Sequence, residues 1–257
     1  RVWFSCGDQV NKSTASICIA TYNGENFIGE QLCSILNQIN TRDEVIVVDD
    51  GSKDKTIEII NAIGDSRIRL FSLQKNGGHV RAFEEALTHA NNEIIFLSDQ
   101  DDIWLPGKYQ RVLEEFDKEN RPVLVVHGLS AIGANGKFIS NNSFSLSLGS
   151  WSGLTLLVRE LIKPSVFGSA SAFRRSLFNV MLPFPKFVYA HDHWLVICAS
   201  MMGKSNFITE KLVHRRIHEN NVTPQNGLHF GNKIYFRLLF FRMIFLALYR
   251  VFLGGYR

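Results

Sequence analysis

The chain has 257 residues, 46% hydrophobic and 20% charged, with a net charge of +4. That describes an ordinary globular protein with a sizeable core, one large domain or two small ones. It excludes a disulfide framework or zinc site: Cys6, Cys18, Cys33 and Cys198 show no Cys-x-x-Cys spacing and read as buried free thiols of a reducing compartment. The charge is uneven, because no acidic residue follows Glu219 whereas Lys233, Arg237, Arg242, Arg250 and Arg257 do. A near-neutral body with a basic tail argues against nucleic acid as a partner and makes the tail a separate device.

Residues 1–13 lack the apolar core of a signal peptide and read as an added or disordered leader. Residues 15–20 (ASICIA) are a short apolar run ended by the turn Thr21-Tyr22-Asn23-Gly24. Phe27, Ile28, Leu32, Ile35 and Leu36 then recur at helical spacing. Residues 44–48 are a buried strand closed by Asp49-Asp50-Gly51-Ser52, with Ser52 placed to cap a helix bearing Ile57, Ile60 and Ile63. Residues 68–73 are a third strand, Asn76-Gly77-Gly78 a turn, and Val80, Phe83, Leu87 and Ala90 a third helical face.

Residues 94–97 (IIFL) begin a strand that runs into three carboxylates within four positions, Asp99, Asp101 and Asp102. Pro106 suits the first turn of a following helix, so the acids are expected on a strand-to-helix turn. Like charges this close repel unless a cation sits among them. Mg²⁺ typically takes one or two carboxylates and completes its shell with water and substrate phosphates. The competing interpretation is a solvated acidic turn with Asp102 as helix cap.

Strands alternating with helices predict an α/β fold, a mostly parallel sheet with helices on both faces. Ligands of such sheets bind beyond the carboxyl ends of the strands. The clusters after successive strands should therefore share one edge, where an aromatic face, carboxylates and a Gly-rich turn suit a nucleotide whose phosphates reach a metal. No Gly-x-Gly-x-x-Gly or Gly-Lys-Ser/Thr loop is present, so the dinucleotide and P-loop readings are weak.

Residues 16–23 (SICIATYN), 47–52 (VVDDGS) with Asp54 and Thr56, and 98–104 (SDQDDIW) carry a resemblance, extended by 168–175 (GSASAFRR), 191–194 (HDHW) and 215–222 (RRIHENNV). Together they resemble glycosyltransferase family 2, inverting enzymes of GT-A fold that use nucleotide-diphosphate sugars. The form of the acidic motif and the late Arg-x-His-x-x-Asn-Val are similar to the bacterial rhamnosyl- and galactosyltransferase-like branch that builds O-antigen and capsule. The resemblance covers residues 14–225, with 14–104 as the nucleotide half and 105–225 as the acceptor and catalytic half, followed by a basic apolar tail at 226–257.

The resemblance implies roles for individual residues. Tyr22, between Thr21 and Asn23, should lie against the nucleobase, with Asp50 accepting a hydrogen bond from a base such as uracil or thymine and Asp49 bracing the turn. Gly78 and Arg81 are weaker candidates for ribose or phosphate. Asp101 should bind Mn²⁺ or Mg²⁺; Asp99, beside Gln100, should hold ribose hydroxyls or reach the metal through water. His218 should approach the diphosphate or the metal, imidazole being better suited to Mn²⁺. Trp104 reads as core. Asp192, at a predicted helix start, is the expected catalytic base taking the acceptor's proton. The family often has Glu-Asp at that place, and His191 departs from it.

Residues 234–253 are apolar and aromatic but carry Arg237, Arg242 and Arg250. Apolar gains of about 0.3–0.6 kcal/mol each are nearly cancelled by arginine costs of about 2.5–3.5 kcal/mol, so a membrane span is not favoured. The arginines spread around the helix, which predicts no clean amphipathic face. Expected partners of residues 233–257 are an anionic membrane surface or a second copy. That places the protein in the cytoplasm, peripheral at the inner face of the plasma membrane, acting on a saccharide or lipid-linked oligosaccharide acceptor. The Gly/Ser/Asn-rich stretch 130–164 is the expected acceptor side. Two other functions fit the acidic motif less well. A haloacid-dehalogenase-like phosphatase normally places its Asp-x-Asp on the first strand, and a non-catalytic nucleotide-sugar-binding subunit would need neither Asp101 nor Asp192.

Overall fold

The structure, a computed structural model, describes residues 13–140, 149–151, 153–162, 166–219 and 230–252. Strand β1 (Ala15–Thr21) leads through α1 (Ile28–Leu36), β2 (Glu44–Asp49), α2 (Thr56–Ile63), β3 (Ile68–Ser72) and α3 (His79–Thr88) to β4 (Ile94–Asp99). The second half runs β5 (Ile103–Trp104), α4 (Lys108–Phe116), β6 (Leu124–Gly133), β7 (Phe138–Ser140), β8 (Gly149–Trp151), α5 (Gly153–Ile162), β9 (Ser171–Arg174), α6 (Phe178–Met181), α7 (His191–Met202), β10 (Ser205–Ile217) and α8 (Phe230–Phe252). Both halves join one ten-stranded sheet in the order β3-β2-β1-β4-β9-β6-β10-β5, with β7 on β6 and β8 on β10.

Because successive side chains point to opposite faces of a strand, β1 feeds two cores. Ala15, Ile17 and Ile19 meet α1, α2 and α4 on one face, and Cys18 meets α3, α7 and α8 on the other. The β3-β2-β1-β4 part is parallel, as the buried runs predict. Antiparallel β9 then joins β4 to β6 and makes the sheet mixed. Thr21 lies in register with Asp49, and Ala20 with Asp99. The turns after β1, β2 and β4 therefore leave the sheet side by side.

Four local expectations are corrected. The acids do not sit on a strand-to-helix turn: Ile103–Trp104 forms β5 against Val213 and His214 of β10, and α4 starts only at Lys108, entered through Gly107 at φ +85°. A residue without side-chain crowding suits that left-handed conformation. Asp102 is therefore not a helix cap; its Oδ1 accepts the Arg216 N–H at 3.1 Å. Ser52 does not cap α2 either. Asp54 holds the Thr56 N–H at 3.0 Å, while the Ser52 hydroxyl takes the Asn23 N–H. Cys18 and Cys198 are buried, but Cys33 is exposed.

Residues 230–252 of the tail form α8, which packs on the domain. Phe240, Met243 and Ala247 are buried, and Arg250 turns inward to donate to the carbonyls of Val180, Met181 and Pro183. That removes one arginine from the outer circumference, so a continuous apolar face does remain outside, contrary to the sequence expectation. Among the described residues no helix is long and apolar enough to cross a membrane. The leader through residue 12, residues 220–222 of the late motif and residues 141–148 of the expected acceptor side lie outside the described residues.

Candidate active site

The rim beyond the parallel strands is stitched from turn to turn. Gln100 Oε1 accepts the Thr21 hydroxyl at 2.6 Å and the Tyr22 N–H at 2.9 Å, and its Nε2 donates to the Tyr22 carbonyl. A Cβ at Gly24 would run into the Gln100 side chain and push it off these partners. Asn23, at φ +49°, gives its N–H to Ser52 and takes the Lys53 N–H, binding the first turn to the second. Asp49 Oδ2 accepts the N–H groups of Gly51 and Ser52, the bracing expected of it. With its backbone so fixed, Tyr22 leaves its ring 43% exposed at the lip, a flat face free for stacking.

Asp50 continues the chain of turns. Its two oxygens accept the N–H groups of Gly77 and Gly78 at 2.7 and 2.8 Å, and the residue is only 3% exposed. Its first task is thus to hold the glycine turn in place, and each oxygen keeps a further lone pair. Gly78, at φ +87°, opens α3. The exposed Arg81 lays its side chain across Gly77.

The acidic turn is the electrostatic centre. Burial, with the charge of Asp101 next, pushes the Asp99 carboxyl up to about 7; Asp192 adds to the rise and Arg215 opposes it. Asp102 is fully buried and raised well above the carboxylate range by burial and by its two neighbours. Asp101 Oδ2 lies 2.7 Å from His218 Nε2, and the imidazole stacks on Phe27. Arg216 braces the turn from behind. Its side chain donates to the Asp101 carbonyl, to Ala134 and to Glu30, over the Phe27 ring.

Asp192 stands in the first turn of α7 and accepts the His193 N–H at 2.8 Å. Its charge acts on Asp99 on one side and on His79 on the other, and His79 also responds to Asp50. Asp50, Asp99 and Asp192 are thus near enough for their charges to act on common neighbours, although 142 positions separate the first and last in sequence. His191, beside Asp192, packs on Phe83 at 4.1 Å and over Gly168, and neither ring nitrogen has a protein partner. Burial holds it down to about 4, a neutral imidazole. His193 pairs with the Tyr189 hydroxyl and His214 with Ser130.

Sequence reasoning missed three cations. Lys108 is fully buried behind the turn, donates to the Ser169 carbonyl at 2.8 Å and covers the Trp104 ring. Burial lowers it to about 7, against the pull of Asp102 and Asp99. Arg215, over Phe167, supplies positive charge to Asp99. Arg216 is the strut already described. Nothing in the spacing marks Lys108, whereas the Arg215-Arg216 pair ahead of His218 was a visible signal. Trp104 is core as expected, 2% exposed and donating to Ser98.

Among the described residues no cage of three or more His, Cys, Asp or Glu side chains exists. The Asp101–His218 pair with Asp99 beside it instead fits an ion that takes few protein ligands and completes its shell from phosphate and water.

The model of glycosyl transferase family 2 matches residues 16–182. An uncharacterized glycosyltransferase of Nostoc sp. is 29% identical over 80% of this chain and 65% of its own length. The Escherichia coli enzyme named UDP-Glc:alpha-D-GlcNAc-diphosphoundecaprenol beta-1,3-glucosyltransferase WfgD is 32% identical over 50% of this chain and 47% of its own. The chain spans 65% or less of the length of these relatives. The crystal structure of S. aureus TarS 1-349 in complex with UDP-GlcNAc matches at a TM-score of 0.71 and 19% identity, over 93% of this chain and 72% of that one, a likeness of GT-A fold. With the family match running from β1 through the acidic turn to the end of α6, this chain belongs to glycosyl transferase family 2.

Proposed function

We propose that this chain transfers a sugar, with inversion, from a UDP- or dTDP-linked donor to a saccharide acceptor carried on a lipid, in the synthesis of bacterial O-antigen or capsule. The observation that carries the proposal is the single rim formed by Tyr22, Asp50, Gln100 and the acidic turn, with Asp192 of α7 near enough for its charge to act on Asp99. The UDP-sugar named in the WfgD relative and the UDP-GlcNAc in the TarS structure support a uridine donor, and the diphosphoundecaprenol of WfgD supports a lipid-linked acceptor.

Tyr22 stacks on the base while the Asp50 lone pairs receive its N–H. Asp101 and His218, with Asp99 beside them, would hold Mn²⁺ or Mg²⁺. Such an ion, when bound, supplies Lewis-acid neutralisation of the departing diphosphate. Arg215 adds a fixed positive charge on the same side. The acceptor hydroxyl oxygen forms the new bond to the anomeric carbon as the bond to the diphosphate oxygen breaks and that oxygen takes the electron pair. The hydroxyl proton passes to the Asp192 carboxylate. The neutral His191 beside it adds no positive charge that would weaken this base.

Thermal-shift measurements with UDP, dTDP and GDP, each with Mn²⁺, test the donor site, because a ligand selective for the folded state raises Tm. Stabilisation by UDP or dTDP, followed by transfer with inverted anomeric configuration, is expected. Indifference to all three nucleotides, with no donor consumed, overturns the proposal.

A further inference from the structure

Helix α8 divides cleanly into two faces. Phe240, Met243 and Ala247 are 3%, 0% and 0% exposed against the domain, whereas Tyr235, Leu238, Phe241, Phe245, Tyr249 and Phe252 are all more than half exposed, Phe245 at 75% and Phe252 at 76%. At about 100° per residue the six outward side chains fall within an arc of about 120°, and the stripe runs about 26 Å along the helix. Arg237 and Arg242, both exposed, flank five of these side chains, with Tyr235 beyond Arg242. Arg242 is steadied over the Phe187 ring at 4.0 Å, next to the exposed Lys186. An aromatic stripe of this extent is far from the scatter of single apolar residues normal on a protein surface.

We propose that this face of α8 rests on an anionic lipid surface. Aromatic and aliphatic side chains flanked by arginines, with no acid after Glu219, match a helix lying in the headgroup region. A second copy of the chain would set the same positive edges against each other across a two-fold contact, which costs energy instead of gaining it. The helix is also placed to serve the reaction. Phe236 packs on Tyr189 at 4.6 Å and Phe240 on His193 at 6.1 Å, the residues that bracket Asp192. The thickness of one packed helix, about 10 Å, then separates the lipid from the element that carries the base. This inference rests on the reading of a lipid-linked acceptor and assigns the surface on which that acceptor is met.

The test is flotation of the full chain with phosphatidylglycerol–phosphatidylcholine vesicles and with phosphatidylcholine alone. Two variants, Phe241→Ser with Phe245→Ser and Arg237→Gln, change only outward positions. Binding to the anionic vesicles is expected, weakened by added salt. The double serine variant should lose at least about tenfold in partitioning and Arg237→Gln a smaller factor. UDP-dependent thermal shift and transfer to a water-soluble acceptor should stay as in the wild type in both variants. Three results overturn the inference: no vesicle binding, equal binding to both vesicle types, or binding that survives the serine substitutions. A concentration-dependent dimer that those substitutions dissolve overturns it as well, in favour of a second copy. If vesicle binding fails while nucleotide stabilisation and transfer persist, the inference alone falls. If nucleotide stabilisation itself is absent, the functional reading falls.

Discussion

His218 Nε2 stands 2.7 Å from Asp101 Oδ2, joining the end of β10 to the turn after β4 across 117 positions of sequence. The two side chains are the pair that an ion would draw together. Asp101→Asn is expected to lower turnover by roughly 100-fold or more, the scale of losing one group aimed at developing charge. His218→Gln should weaken Mn²⁺ activation by roughly 10-fold or more. Chelation by EDTA should stop turnover and added Mn²⁺ restore it. Steady-state rates against free Mn²⁺ measure all three, and full activity in EDTA would remove the ion from the mechanism.

Asp192→Asn keeps the shape of the α7 turn and takes away the proposed proton acceptor. Turnover should fall by about 10²–10⁴-fold, while UDP still raises Tm as in the wild type. Paired kinetic and thermal-shift assays separate the two effects. Wild-type turnover in this variant would exclude Asp192 as base.

Asp50→Asn tests whether this carboxylate builds the rim. An amide cannot accept from both Gly77 and Gly78 with its two heads, so one N–H loses the charged acceptor that the buried Asp50 gave it. A loss of about 1–3 kcal/mol in urea unfolding is expected without any nucleotide present. Unchanged stability together with lost nucleotide binding would give Asp50 a ligand role only.

Lys108→Met removes the buried amine that donates to the Ser169 carbonyl and whose charge acts on Asp102. Leaving that buried carbonyl without its donor costs about 1–3 kcal/mol. Adding Asp102→Asn should then cost less than it does in the wild type, which a double-mutant cycle in urea reads directly. Independent, additive losses would show that the two groups do not interact.

His191 makes stability depend on pH. Burial lowers its folded-state pKa from 6.5 to about 4, so between those values the unfolded chain binds more protons than the folded one. Stability contributed by the neutral ring is fully present above pH 6.5 and is lost as pH falls toward 4, by about 3 kcal/mol in all. His191→Leu, similar in volume, should show a shallower fall in Tm over that window than the wild type. Parallel curves for the two proteins would mean that the ring titrates near its ordinary value.

Much of this protein was legible in its sequence because short-range rules governed it. Apolar runs of strand length set β1, β2 and β4, and the polar clusters that ended them had to emerge on one edge once the strands were parallel. The role of Asp49 as a brace came with the family resemblance, and that of Trp104 as core with its size and apolar character. Tertiary structure decided what depends on partners far along the chain. The residues after the acids became β5 because β10 offered them an edge, which moved Asp102 from a helix cap to the Arg216 N–H. Lys108 became a buried donor to the Ser169 carbonyl only because the sheet closed over it. The tail acquired a continuous apolar outer face only because Arg250 found the carbonyls of Val180, Met181 and Pro183. Periodicity is a property of neighbours in sequence, whereas the satisfaction of a buried charge or an orphan carbonyl is a property of neighbours in space.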